Sequence, residues 1–108
     1  MTQVSVNSGI CGFSVTIKAK KGKDKKIQIT LDTDCDMVKQ MNKDISKMDI
    51  RAAFAGHLSN PVHMSAARHL KHVACPVPAG ILKAIEVEIG VCLPEDVHIQ
   101  FITDKGEQ

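Results

Sequence analysis

Tryptophan and tyrosine are missing from this sequence, and phenylalanine appears only at Phe13, Phe54 and Phe101. Single-stranded nucleic acid is usually held by stacking its bases on aromatic rings, so that ligand class loses its main means of capture. Charge of one sign is also scarce. The 14 basic and 12 acidic residues leave a net charge of +2, too little to hold a phosphate backbone by itself. Six lysines crowd into Lys18–Lys26 (KAKKGKDKK), but without aromatic company the run reads as the solvated tip of a hairpin. No binding to nucleic acid is expected.

Long apolar runs are absent too. Nothing approaches the roughly 20 residues that span a bilayer, and MTQVSVNSGICGF lacks the basic start and apolar stretch of a signal peptide. No membrane partner is expected, and a cytoplasmic location is. In a reducing compartment, clustered cysteines more often serve metal or redox chemistry than cross-link a fold. The sequence also has no Gly-rich phosphate loop, nucleophile elbow or paired-carboxylate motif. No reaction class follows, so whether the chain is an enzyme stays open.

What is present reads as one α+β domain over residues 1–108. In CGFSVTIKAK, Cys11, Phe13, Val15, Ile17 and Ala19 share one face; in KIQITLD, Ile27, Ile29 and Leu31 do the same. With KGKD between them, the two runs predict a β-hairpin with one polar face. Val4 and Val6 add a short strand ended by Asn7-Ser8-Gly9. Thr33 and Asp36 have capping-box spacing, and Val38, Met41, Ile45 and Met48 recur at helical intervals. A short helical piece over 49–55 is expected next. Ser59-Asn60-Pro61 then opens a helix that runs to about Val73. The CPVP segment opens a last helix, with Ile81, Leu82, Ile85 and Ile89 inward, and Gly90 ends it. The alternation in DVHIQFI predicts a C-terminal strand. The expected fold is a small, mainly antiparallel sheet with three to four helices on one face.

Four cysteines remain, and the hairpin draws two together. A turn at Lys21 to Asp24 sets position 11 opposite about position 34, where facing Cβ atoms are about 4.5–5.5 Å apart. Cys11 and Cys35 should therefore be neighbours at the end away from the lysines. Cys35 falls in a first helical turn, and Cys75 stands as the apparent N-cap of the last helix. Free amides and the helix dipole favour thiolate at such positions. Three thiolates would hold zinc or an iron–sulfur cluster, with His72 of His72-x-x-Cys75 as a fourth ligand completing a Cys₃His zinc site. Cys92 in GVCLP reads as packing. The other readings stay open: buried cysteines acting as small apolar side chains, or thiol transfer chemistry. His57, His63, His69 and His98 read as surface or packing residues, and Met37, Met41 and Met48 as core filler. Asp32, Asp34 and Asp36 lack the completed spacing of a calcium loop and read as helix-start acids.

Two resemblances bear on the choice. In "GICGF", the helix-opening "DC", and "HVACPVPAGILKAIEVEIG" followed by "LPEDVHIQF", the chain resembles a family of small uncharacterised proteins from anaerobic bacteria and archaea. That resemblance implies a shared site at Cys11, Cys35 and Cys75 and does not require a cysteine at 92. Locally, "CPVP" resembles the CPxP motif of TusA-type sulfur carriers, which implies a persulfide-carrying role for Cys75. There the cysteine follows a strand, whereas here it follows a helix. The leading expectation is a three-cysteine metal or cluster site, open to redox chemistry. The alternatives are a sulfur carrier using Cys75 and a module that binds a protein partner, with structural cysteines.

Overall fold

Alternating apolar side chains force the first third of the chain into strands, because every second residue must leave water. The computed structural model describes residues 1–103, so the last five residues of the expected domain lie outside the described part. Strand β1 (Thr2–Asn7) pairs antiparallel with β2 (Ser14–Lys21), and β2 with β3 (Lys26–Thr33). A short β4 (Lys47–Asp49) adds to the far side of β3, giving the order β1-β2-β3-β4. Helices α1 (Asp36–Ile45), α2 (Pro61–His69) and α3 (Val77–Ile89) follow or interleave. The expected α+β architecture is what the chain adopts.

The hairpin register differs from the sequence expectation by three residues. Val15 faces Thr33, Ile17 faces Leu31, and Ala19 faces Ile29. A turn at 21–24 would set odd-numbered residues opposite even-numbered ones. The inward residues of both strands are odd-numbered, and a pleated pair keeps one set of side chains on one face. The loop therefore moves to Gly22–Lys25, closed by the Gly22 amide donating to the Lys26 carbonyl at 2.8 Å.

Val15, Ile17, Ala19, Ile27, Ile29 and Leu31 form the sheet side of the core. Helix α3 covers β1 and β2, α1 covers β3, and α2 bridges the two helices. Val38, Met41 and Ile45 of α1 and Val77, Ile81, Ala84 and Ile85 of α3 complete it. Gly80 lets α3 approach the sheet closely: a Cβ there would lie 2.5 Å from Val6 Cγ2 and 3.1 Å from Ile17 Cδ1.

Three other expectations change. Met48 lies on β4, not on α1; the helix ends at Ile45, and a strand residue can fill the same inward position. The piece expected over 49–55 shrinks to one 3₁₀ turn, Ala52–Phe54. Helix α2 begins as expected at Pro61, with the Asn60 side chain accepting from the Val62 amide at 2.9 Å. It stops at His69, where Leu70 turns extended (φ −86°, ψ 126°), so Val73 is fully exposed instead of inward. The predicted C-terminal strand is not formed: residues 93–103 carry no regular structure.

Polar side chains tie these layers together. Asp44 on α1 accepts from Ser65 at 2.7 Å, Arg68 at 3.2 Å and His69 at 2.9 Å, all on α2. These donors, the Ser65 hydroxyl first, hold the Asp44 carboxyl below the usual carboxylate range. Ser65 and His69 both meet the carboxylate, not each other in series, so the trio is a clamp and not a nucleophile relay. On the other side, Glu88 near the end of α3 accepts from the Lys21 amide at 3.0 Å and the Thr2 hydroxyl at 2.7 Å. This fixes the end of the helix beside the start of β1.

Candidate functional site

The end of the sheet opposite the lysine turn gathers three chain connections: β1 to β2, β3 to α1, and the mouth of α3 after α2. Each carries a cysteine. Cys11 closes a 3₁₀ turn, Gly9–Cys11, between two left-handed glycines, Gly9 at φ 80° and Gly12 at φ 77°. The Gly12 amide donates to the Gly9 carbonyl at 2.9 Å, and the Ser8 amide to the Phe13 carbonyl at 3.1 Å. Such backbone cannot continue a strand, so β2 begins only at Ser14. The expectation that Cys11 starts the strand on its apolar face is corrected: Cys11 is exposed on a turn that buries no residue.

Cys35 is itself the N-cap of α1, where Thr33 or Asp34 was expected, and is 6% exposed. The Thr33 hydroxyl joins it to the hairpin, accepting from the Cys35 amide at 3.1 Å and donating to the Ser14 carbonyl at 2.9 Å. One threonine thus ties the first residue of β2 to the mouth of α1. Both Cys35 and Cys75 pack into the core. Cys75 stands one residue before the N-cap of α3, which is Pro76 rather than the cysteine. Its amide donates to the His72 carbonyl at 3.2 Å across the turn that joins α2 and α3.

The electrostatics connect the three sulfurs. Burial pushes the Cys75 thiol up. The Val77 amide at the helix mouth pulls it down, while the thiols of Cys35 and then Cys11 push it up again. Cys75 therefore lies within electrostatic reach of both other cysteines. The expectation that a helix N-terminus makes Cys75 a ready thiolate is corrected, since half-burial outweighs the single amide.

His72, the expected fourth ligand, is exposed in the segment between α2 and α3, off the helix on which it was expected to lie. Cys92 is exposed beyond α3. Among the described residues, no group of three or more His, Cys, Asp or Glu side chains stands close enough together to hold a metal ion. The thiols thus converge without being gathered. Sequence reasoning missed the Asp44 clamp and the stacked rings of His57 and His63, 4.6 Å apart. For the clamp the only local hint was Ser65 and His69 four apart on one helix face.

One family model matches the chain, over residues 2–101: DUF6951, a family of unknown function. No curated protein and no solved structure matches it.

Proposed function

We propose, for a chain that belongs to this family of unknown function, that Cys11, Cys35 and Cys75 together bind one soft metal centre, zinc or an iron–sulfur cluster. The observation that supports the reading is the placement of three cysteines, on three separate connections, toward one end of the sheet, near enough for Cys35 and Cys11 to act on Cys75. Binding would have to displace the proton that burial and the two neighbouring thiols favour on Cys75, which a cation does by stabilising the thiolate. Cys35 and Cys75 supply the anchored pair, fixed by the core and by helix mouths. Cys11 supplies the adjustable member, on a glycine-flanked turn with no packed neighbours. Closing that turn over the pair would complete a three-sulfur set. A fourth position is left toward solvent, where His72 is the nearest imidazole in sequence. The bound centre would supply Lewis-acid or electron-transfer chemistry. A persulfide carrier is less well supported, because it needs a nucleophilic thiolate and the Cys75 thiol is pushed the other way.

Anaerobic zinc titration of reduced, metal-stripped protein tests this. Each thiol that ligates loses its proton, so binding at neutral pH should release about three protons per zinc with a stoichiometry of about one. Zinc should also protect about three thiols per chain from a thiol reagent while Cys92 stays reactive. Proton release near zero, or four equally reactive thiols in the presence of zinc, would overturn the reading.

A further inference from the structure

Two halves of an unmade contact stand apart in this molecule. The first is the outer edge of β1. The opposite side is better covered: the short β4 pairs with Lys26–Gln28 of β3, and α1 and its C-terminus bond residues Ile29 and Leu31. There the Ile29 amide donates to the Ser46 carbonyl at 3.0 Å, and the Asn42 side chain donates to the Ile29 carbonyl at 2.8 Å. Asn42 also accepts from the Leu31 amide at 3.1 Å, imitating a strand residue. β1 has no such cover among the described residues. Its six-residue outer edge is unpaired, and its inward Val4 and Val6 are only half-buried, while the matching residues of β2 and β3 are buried. Unpaired strand edges are templates for another strand.

The second half is the segment after α3. Val97, Ile99 and Phe101 alternate with His98 and Gln100, the pattern of a strand with one apolar face. Yet Val97 is 59%, Ile99 86% and Phe101 94% exposed. Beyond Val91, whose amide reaches the Glu86 carbonyl, the described segment makes no backbone hydrogen bond. The molecule measures 55 × 29 × 25 Å. Its longest strand spans about 27 Å and its longest helix about 20 Å, so the segment projects from the body. The sequence shared by the family runs through it to Phe101.

We propose that this segment is an exchange strand: Val97–Ile102 of one copy pairs with β1 of a second copy, reciprocally, to form a dimer about a two-fold axis. The direction of the chain favours a second copy over the molecule's own edge. Glu88 pins the end of α3 beside Thr2. A segment that returns directly from there along its own β1 runs parallel to it, in a sheet whose every other pair is antiparallel. On a second copy it can run antiparallel, the more stable pairing. Val97, Ile99 and Phe101 would then cover Val4 and Val6, and the polar alternates would extend the polar outer face. Exchange of identical elements needs no surface beyond those each copy already has.

Sedimentation equilibrium of the full chain under reductant, which removes any link through Cys92, should give a dimer. Ile99→Lys combined with Phe101→Lys should give a monomer that keeps the parent's helical circular dichroism signal and loses only the small strand contribution of the exchanged segment, since both side chains are exposed in the single chain. A photoreactive residue at Gln100, in a mixture of isotopically light and heavy chains, should capture Thr2–Asn7 peptides in light–heavy pairs. A monomeric parent, a dimer unaffected by the double substitution, or capture confined to light–light and heavy–heavy pairs would each overturn the proposal. The last result would mean that the segment folds onto its own edge.

Discussion

Cys11→Ser should weaken zinc binding by about a hundredfold while leaving the fold intact. The size follows from dividing the roughly 10–16 kcal/mol of a structural zinc site among four ligand positions, less a small discount because serine and water offer replacement oxygen donors. About 3 kcal/mol corresponds to a factor of about a hundred in affinity. The position makes the test clean, because Cys11 is exposed and its turn buries nothing. Any loss of metal there cannot be loss of core. Cys75→Ser should weaken binding at least as much, whereas Cys92→Ser should leave it unchanged. Competition titrations against a chelator of known affinity read all three. Equal affinity for Cys11→Ser and Cys92→Ser would remove Cys11 from the site.

Gly80→Ala should destabilise the protein by up to about 2 kcal/mol, against the rule for helices. Alanine is about 1 kcal/mol the better helix former, so in an open helix the substitution would stabilise. Here the new methyl would meet Val6 Cγ2 at 2.5 Å and Ile17 Cδ1 at 3.1 Å, and overpacking of this kind costs about 1–3 kcal/mol. Valine is stiff about its first torsion, so relief needs backbone movement of β1 or α3. Val6→Ala removes the obstructing methyls. In the double variant, Gly80→Ala should therefore cost at least about 1 kcal/mol less than it does alone, a coupling that urea denaturation of the four proteins measures. A stabilising Gly80→Ala would mean that α3 and β1 do not approach as closely as described.

How much of this was legible in the sequence depends on the range of the signal. The inward odd-numbered residues of β2 and β3 and the stripe Val38-Met41-Ile45 are local periodicities, and both survive in the core. Gly90 also ends α3 as its position suggests, at φ 93°. Parity alone could have corrected the hairpin register, since only an even sum of paired positions brings Ile17 opposite Leu31. Met48 could not be assigned from spacing, because a helix and a short strand both leave one apolar side chain facing the core. DVHIQFI has the pattern of a strand, but a strand also needs a partner edge, and pattern carries no information about that. At the site, Cys35 and Cys75 were legible as helix-mouth residues within a position or so. Their burial was not, and the half-burial of Cys75 reverses the expected direction of its thiol. The Asp44 clamp spans 21–25 residues in sequence, and nothing short of the packed helices brings its members together.

The most direct measurement is X-ray absorption at the metal edge of the zinc-loaded, reduced protein. If Cys11, Cys35 and Cys75 hold the ion, the spectrum should show about three sulfur neighbours at about 2.3 Å, falling to about two in Cys11→Ser. A spectrum with only nitrogen and oxygen neighbours would contradict the account, as would a sulfur count that Cys11→Ser does not change.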